Sequence, residues 1–499
     1  MGQVSGENLK QSSSMMNIGF VSSEITPYAS TGGLADVCGA LPKALVDLGA
    51  SVTQFMPMYR KIIEGAYPVE DTGFRLSIPV GFHRYQADIW RTKSNSPTIY
   101  FIRRDEFFDR TQLYNLPDRD YDDNFERFIF FQKAVTALID HLGRPFDIIH
   151  AHDWQTGLLP LYLKNGLSGE GRAGKEKIIF TIHNLAFQGI FNGDNYSYTN
   201  LPFSCFSVDT LEYYGNVNCL KSGITCADVV TTVSRTYAQE IQTEELGCGL
   251  HGVLSTAKNK LHGIVNGIDI ISWNPETDRA IAENFSETDL KGKAVCKADL
   301  IRRMKMTIRP TDPLFGIITR LTPQKGIDLI NEVLPDIMER TKAGLVLLGS
   351  GSDDVMEMVM TWGKKWPGRV VIKTGFDIKL ARRIEAGADI YMMPSKFEPC
   401  GLNQLYSLRY GTIPIVHAVG GLDDTVIDVT ENPGQGYGFK FKDFTGAALT
   451  ASILKSIELF NKKDRWNEIQ HRAMKQDFSW LKSAEKYMNL YNSVIGPKV

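Results

Sequence analysis

Arg320 and Lys325 fall within one stretch, RLTPQKG, directly past an apolar run, where a guanidinium and an ammonium can converge on a single diphosphate. A departing diphosphate gathers negative charge, and two such cations stabilise it without a metal. In SKFEPCGLNQLYSLRYG, Ser395 to Gly411, Glu398 stands three residues ahead of Gly401, and the apolar spacing that follows predicts a helix. Glu398 can there bind hydroxyls or steady positive charge at an anomeric carbon, while free N–H groups at the helix start face phosphate. The plainer alternatives are two solvated surface charges and a helix-capping glutamate.

Two glycine pairs add to this set. STGGLADV, Ser30 to Val37, sets Gly32 and Gly33 before a helix, where backbone approaches a ligand closely and N–H groups favour an anion, or where the pair makes a turn. VGGLDDTV, Val419 to Val426, repeats the arrangement, giving either a second phosphate cradle or a helix capped by Asp423 and Asp424. His152, Asp153 and His183 end apolar runs without HxH or HxxxH spacing, so hydroxyl recognition is favoured over a metal, with satisfied core histidines as the alternative. The aromatic stretch Phe107 to Phe131 is broken by Asp, Asn and Pro in its first part, where aromatic faces beside acids fit sugar rings, and reads as a packed helix in its second.

The elements that must position these residues are short apolar runs separated by helical segments, the pattern of parallel α/β sheets covered on both faces. Strands are predicted at 17–22, 147–150, 177–182, 228–233 and 263–265, and again at 314–319, 344–348, 370–373, 389–392 and 413–416. Open sheets of this kind bind ligands beyond the carboxyl ends of their strands, where the polar residues concentrate. Each half reads as a doubly wound domain, with the changeover shortly after Asn266 and a cleft expected between the two. The first helix places Leu34, Val37, Cys38, Leu41, Leu45 and Leu48 on one face as core, and Pro42 predicts a local kink in it.

Bulk properties narrow the partners. A chain of 499 residues, 43% hydrophobic and 22% charged, holds two domains of ordinary size. With 55 Lys and Arg against 57 Asp and Glu, it carries no broad field for nucleic acid or anionic lipid, which points to a small molecule or neutral polymer. Seven scattered cysteines without a CxxC pair argue against a disulfide framework or zinc site and fit a reducing compartment, the cytoplasm. Residues 1–14 are polar and read as a frayed, flexible extension rather than a signal peptide, and no run of about 18 apolar residues would span a membrane.

TGGLADV with GALPKAL, then HAHDW, TIHNLAFQG, VNGID, RLTPQKG, PSKFEPCGLNQLYSLRYGTIPIV, GGLDDTV and the terminal DFSW resemble, in order, the glycogen synthase and starch synthase family. These are retaining glycosyltransferases of the GT-B fold that use nucleotide-linked glucose. The resemblance runs from about Asn17 to Tyr491. It implies two Rossmann-like domains: an acceptor-side domain of 15–268 completed by 477–499 through a closing helix, and a nucleotide-sugar domain of 269–476.

By the same resemblance, Arg320 and Lys325 grip the donor diphosphate, and Glu398, Cys400, Gly401 and Leu402 surround glucose and phosphates. His183 and Asn184 contact the transferred glucose, Asp153 lies near its hydroxyls, and Asn266 belongs to the cleft. Phe376 faces the nucleobase, Tyr114 lies near the acceptor, and Ser30, Gly32, Gly33, Asp424 and Thr425 complete the donor side. The family's bacterial members imply ADP-glucose as donor and an α-1,4-glucan as acceptor, with no metal required. One departure stands out: where the family has Lys in KTGGL, this chain has Ser30, which keeps a hydrogen-bond donor but removes a positive charge. Weaker donor binding, another donor such as UDP-glucose, another acceptor, a reduced rate, or a non-catalytic glucan-binding regulator are the alternatives that this opens.

Overall fold

The central strand of each sheet is a continuous apolar run, because helices cover both of its faces. The computed structural model describes residues 15–93, 96–116, 118–143, 145–167 and 174–496; the polar extension read at 1–14 lies outside them. The described residues up to Thr181, with Phe187–Val229 and the segment from Tyr487 onward, form one compact unit, and Ile182–Ala186 with Val230–Lys486 form another.

In the first unit, strands β1 (Asn17–Val21), β2 (Ser51–Pro57), β3 (Val69–Val80), β4 (His83–Thr92), β5 (Thr98–Arg103), β6 (Ile148–His152) and β7 (Lys177–Ile182) lie in the order β7-β6-β1-β2-β5-β4-β3. The run from β7 to β5 is parallel, and β4 and β3 extend it antiparallel. Since β6 and β2 flank β1 on opposite sides, the chain reverses its winding there, and the crevice beyond β1 and β6 is the switch point at which such sheets bind ligands. A small antiparallel sheet follows, of β8 (Ile190–Asn192), β9 (Glu212–Tyr213) and β10 (Asn216–Asn218).

Helix α1 (Gly33–Asp47) buries Leu34, Val37, Cys38, Leu41 and Leu45, and it runs on through Pro42. Pro42 has no N–H for the Cys38 carbonyl one turn back, and the Gln54 side chain from β2 supplies the missing donor at 2.7 Å. The expected defect is therefore absorbed by a neighbour. Helix α2 (Asn124–Leu142) packs Phe128, Phe131, Val135 and Leu138 inward.

The second unit opens with the parallel pair β11 (Val229–Thr232) and β12 (Leu261–Gly263), between which lies the short helix α3 (Arg235–Glu240). The strand expected at 263–265 thus ends where it was expected to begin: a β-carbon on Gly263 would stand 2.2 Å from the Ser234 carbonyl oxygen, so the chain passes close under this loop.

Its main sheet is parallel, with β13 (Leu314–Leu321), β14 (Gly344–Gly351), β15 (Val370–Thr374), β16 (Ile390–Met393), β17 (Ile413–His417) and β18 (Phe439–Phe441) in the order β15-β14-β13-β16-β17-β18. Helices α4 (Ile327–Arg340), α5 (Ile378–Gly387), α6 (Asn403–Arg409) and α7 (Gly420–Thr425) connect these strands, and α8 (Trp480–Ile495) closes the described chain. Phe315, Ile330, Leu345, Trp362 and Ile415 anchor the core, each such side chain contributing about 1.5–3 kcal/mol on burial. Among the described residues no helix is long and apolar enough to cross a membrane.

Candidate active site

In the second unit the winding reverses at β13, flanked by β14 and β16, so its crevice opens beyond β13 and β16. These two strands pair only at Phe315 with Ile390 and Gly316 with Tyr391, and then part. Parting would strand the backbone of Ile318. Tyr391 prevents this: its hydroxyl accepts from the Ile318 N–H at 3.1 Å and donates to the Ile318 carbonyl at 2.7 Å, and Asn403 donates to both at 2.6 and 2.9 Å. The crevice thus opens with its backbone groups satisfied, leaving a cavity of about 30 Å³ that Thr319, Lys325, Ser395 and Asn403 help to line.

The loops beyond β13 and β16 are fastened together. Lys396 N–H donates to the Gln324 carbonyl at 2.8 Å, and the Gln324 amide donates to the Phe397 carbonyl at 3.1 Å. Gly326, at φ +67°, lets the chain pass where a β-carbon would stand 2.0 Å from the Pro394 oxygen. The outcome is a contact between the two residues singled out from sequence: Lys325 Nζ lies 2.5 Å from Glu398 Oε2, with both side chains largely buried. Ser395 Oγ donates to the same carboxylate oxygen at 3.0 Å. Arg320, opposite Ser350 on β14, is exposed and has no ion-pair partner among the described residues. Phe376, past β15 and next to Gly375 at φ +94°, is 90% exposed.

The segment from Glu398 to Leu402 is held from behind by α7. Gly421 N–H donates to the Glu398 carbonyl at 3.0 Å, and β-carbons on Gly420 or Gly421 would stand 2.0 Å from the Glu398 oxygen and 2.1 Å from the Cys400 oxygen. The Gln404 amide donates to the carbonyls of Cys400 and Gly401 and to Thr425 Oγ1, each at 3.1 Å. Burial pushes the Cys400 thiol up to about 12, against the lowering effect of its contact with the Asn266 backbone, so it remains a thiol.

Asn266 is 5% exposed, and its Oδ1 has no hydrogen-bond partner among the described residues, an acceptor left open for a hydroxyl. His183 belongs to this unit too, and burial pushes its imidazole down to about 3. Near neutral pH it offers hydrogen bonds and no charge. Asn184 follows it, its Oδ1 accepting from Ala186 N–H at 3.1 Å.

Two expectations change here. The Gly420 and Gly421 amides are taken, by Glu240 Oε1 at 2.9 Å and by the Glu398 carbonyl, so this glycine pair makes a close backbone contact in place of a second phosphate cradle. Asp424 caps α3, accepting from Arg235 N–H at 2.5 Å and from Thr236 Oγ1 at 2.7 Å, and Thr425 Oγ1 donates to the Gly421 carbonyl at 2.5 Å. Both side chains are engaged within the protein.

The first unit has its own polar cluster beyond β1 and β6. Glu24, 2% exposed, accepts from Thr31 N–H at 2.5 Å, Thr31 Oγ1 at 2.7 Å and the Tyr114 hydroxyl at 2.6 Å. Burial, then the charge of Glu24, hold the Tyr114 hydroxyl well above its ordinary range, so it stays protonated. Arg127 of α2, fully buried, fixes the loop bearing Tyr114 by donating to the carbonyls of Phe107 at 2.7 Å and Leu113 at 3.0 Å and to Asn124 Oδ1 at 2.6 Å. Glu24 escaped the sequence reading, although a carboxylate directly past the first apolar run was the available signal.

Ser30, Gly32 and Gly33 are exposed. Ser30 lines a cavity of about 480 Å³ with Thr31, Arg60, Lys61, Arg110 and Gln112. Asp153, past β6, has φ +57° and ψ 179°, a conformation that a residue with a side chain adopts only at a cost of about 1–3 kcal/mol and that clusters at functional sites. His150 is a satisfied core histidine, held by Tyr491 at 2.7 Å and Thr181 at 2.5 Å.

The family model described as starch synthase catalytic domain matches residues 17–256, and the one described as glycosyl transferases group 1 matches 301–472. A glycogen synthase of Geotalea daltonii is 41% identical over 483 residues, 97% of this chain and 100% of the relative. One of Koribacter versatilis is 43% identical over 480 residues, 95% and 98% of the two chains. The solved catalytic domain of starch synthase IV from Arabidopsis thaliana, bound to ADP and acarbose, superposes with a TM-score of 0.87 at 32% identity, covering 96% of this chain and 99% of that one.

Proposed function

The chain belongs to the glycogen and starch synthase family of retaining GT-B glycosyltransferases, and on that premise we propose that it transfers glucose from ADP-glucose to the non-reducing 4-hydroxyl of an α-1,4-glucan. The observation that carries this reading is the Lys325–Glu398 contact at the mouth of the β13–β16 crevice. It sets an ammonium and a carboxylate 2.5 Å apart, one suited to a diphosphate oxygen and the other to glucose hydroxyls or to charge at the anomeric carbon.

In this scheme Arg320 and Lys325 stabilise the departing diphosphate, and Phe376 stacks on the adenine. Glu398, Cys400, Gly401, Leu402, Asn184 and Asn266 surround the glucose, and neutral His183 donates to it or accepts from it. Glu24, Tyr114 and Asp153 meet saccharide hydroxyls, and Ser30 with the Gly32 and Gly33 amides offers hydrogen bonds to the donor phosphates. Attack comes from the face that the diphosphate leaves, the leaving phosphate takes the hydroxyl proton, and the configuration is kept. No metal enters the scheme. By function the donor domain is taken as 269–476 and the acceptor-side domain as 15–268 with 477–499, whereas the compact units divide at Val229/Val230 and Lys486/Tyr487 and assign 182–186 to the second; the cytoplasm is the compartment in which both substrates are met.

Ser30 favours one competing reading, a UDP-glucose donor, because the charge that the family places there is missing. Incubation with glycogen and either ADP-glucose or UDP-glucose, each labelled in the glucose, separates the two. Labelled α-1,4-linked polymer is expected from ADP-glucose at the higher rate. Faster labelling from UDP-glucose would overturn the donor assignment, and no labelled polymer from either at high concentration would overturn the activity.

A further inference from the structure

Glu240 belongs to none of the motifs identified in the sequence, yet its carboxylate reaches the tightly packed start of α7. It is the last residue of α3, and its Oε1 accepts from the Gly420 N–H at 2.9 Å. The favour is returned at the other end of the same helix, where Asp424 of α7 accepts from the N–H groups of Arg235 and Thr236. Each short helix thus has a terminus held by a carboxylate of the other, and neither can shift without breaking a charge-assisted bond.

What α7 carries is the backing of the Glu398 segment. Gly420 has φ +45°, and its Cα approaches so closely that a β-carbon would stand 2.0 Å from the Glu398 carbonyl oxygen. The next amide, that of Gly421, donates to this oxygen at 3.0 Å. From the Glu240 carboxylate onward, the line through Gly420 and Gly421 to the Glu398 carbonyl runs over backbone alone, with no further side chain that could adapt.

Glu240 is held at some expense. Its Oε2 is shielded from water and has no hydrogen-bond partner among the described residues. Burial, and then the charges of Asp423 and Asp424, push its carboxyl upward, and the Gly420 N–H opposes them. A carboxylate with one oxygen unpaired in this way costs stability, so its retention at this place is not explained by stability alone.

We propose that Glu240 is a positioning residue for glucosyl transfer, latching Gly420 so that Gly421 holds the Glu398–Cys400 backbone in its reactive place. The inference rests on the donor-site role given above to Glu398. Glu240 touches no substrate; it acts through α7.

The latch is tested by amide hydrogen exchange and steady-state kinetics on Glu240→Ala, Glu240→Asp and Glu240→Gln in the full chain. Alanine removes the acceptor and aspartate withdraws it by one methylene, whereas glutamine keeps an acceptor at the same reach. Loss of one hydrogen bond to a charged acceptor is expected to speed exchange of peptides covering 398–402 and 419–422 about tenfold in the Ala and Asp variants and to lower kcat by about the same factor. KM for the nucleotide sugar should change less than about twofold, since the donor contacts stay in place. The Gln variant should keep exchange and kcat within about threefold of the unsubstituted protein.

Unchanged exchange in the Ala and Asp variants would overturn the latch, as would a Gln variant as slow as Asp. Should alanine prevent folding, the comparison of Asp with Gln decides alone. Absence of polymer synthesis by the unsubstituted protein would remove the functional reading, and the exchange comparison would still decide whether Glu240 holds the segment.

Discussion

Lys325→Ala is expected to lower kcat/KM for the nucleotide sugar by about 100- to 1,000-fold, the usual effect of removing one preorganised donor to a developing anion. The loss should lie mainly in kcat, because the charge on the diphosphate is greatest as it departs. The same change removes the ion pair of Glu398, whose carboxylate is nearly buried and would keep only the Ser395 hydroxyl as a hydrogen-bond donor among the described residues. Breaking a buried pair from one side destabilises by about 3–5 kcal/mol, so the melting temperature should fall as well. Adding Glu398→Gln removes the stranded charge. The double variant should therefore regain stability and remain inactive, whereas recovery of both would make Lys325 a structural residue.

The second large effect is expected at Gly421, where alanine adds one carbon. That carbon would stand 2.1 Å from the Cys400 carbonyl oxygen and 2.4 Å from its Cα, both backbone atoms that no rotamer change can move aside. A shift of about 1 Å is needed to relieve it, and misplacement on that scale at a reacting centre lowers rates about 100-fold. Overpacking should also destabilise by about 1–3 kcal/mol. Gly434→Ala is the matched control, since nothing lies within 4 Å of the added carbon. Wild-type turnover by Gly421→Ala would show that the Glu398–Cys400 backbone can move without consequence.

Much of this site is written in the sequence because parallel α/β sheets obey a positional rule. An apolar run followed by polar residues marks the carboxyl end of a strand, and Lys325, Glu398 and His183 all lie past such runs. That Lys325 reaches Glu398 was not legible: it depends on Gly326 passing close to Pro394 and on Gln324 bonding across to Phe397, a residue 73 positions further along the chain.

The glycines at 420 and 421 illustrate the same limit from the other side. Glycine before a helix is read as a place for an anion, but it serves equally where two backbones touch, and only the neighbour decides. Strands β3 and β4 escaped because an antiparallel extension with one polar face alternates instead of forming an apolar run: in β3, exposed Asp71, Gly73, Arg75 and Ser77 alternate with more sheltered residues. Pro42 gave a true local signal, a missing donor in α1, which Gln54 answers from 12 residues further along the chain.

The central claim is that the crevice beyond β13 and β16 holds the diphosphate of the donor. A crystal structure of the protein at saturating ADP tests it directly. The account predicts phosphate oxygens within hydrogen-bond distance of Lys325 Nζ and the Arg320 guanidinium, with the adenine against Phe376. Nucleotide bound elsewhere, with Lys325 still paired to Glu398 and Arg320 bare, would contradict it.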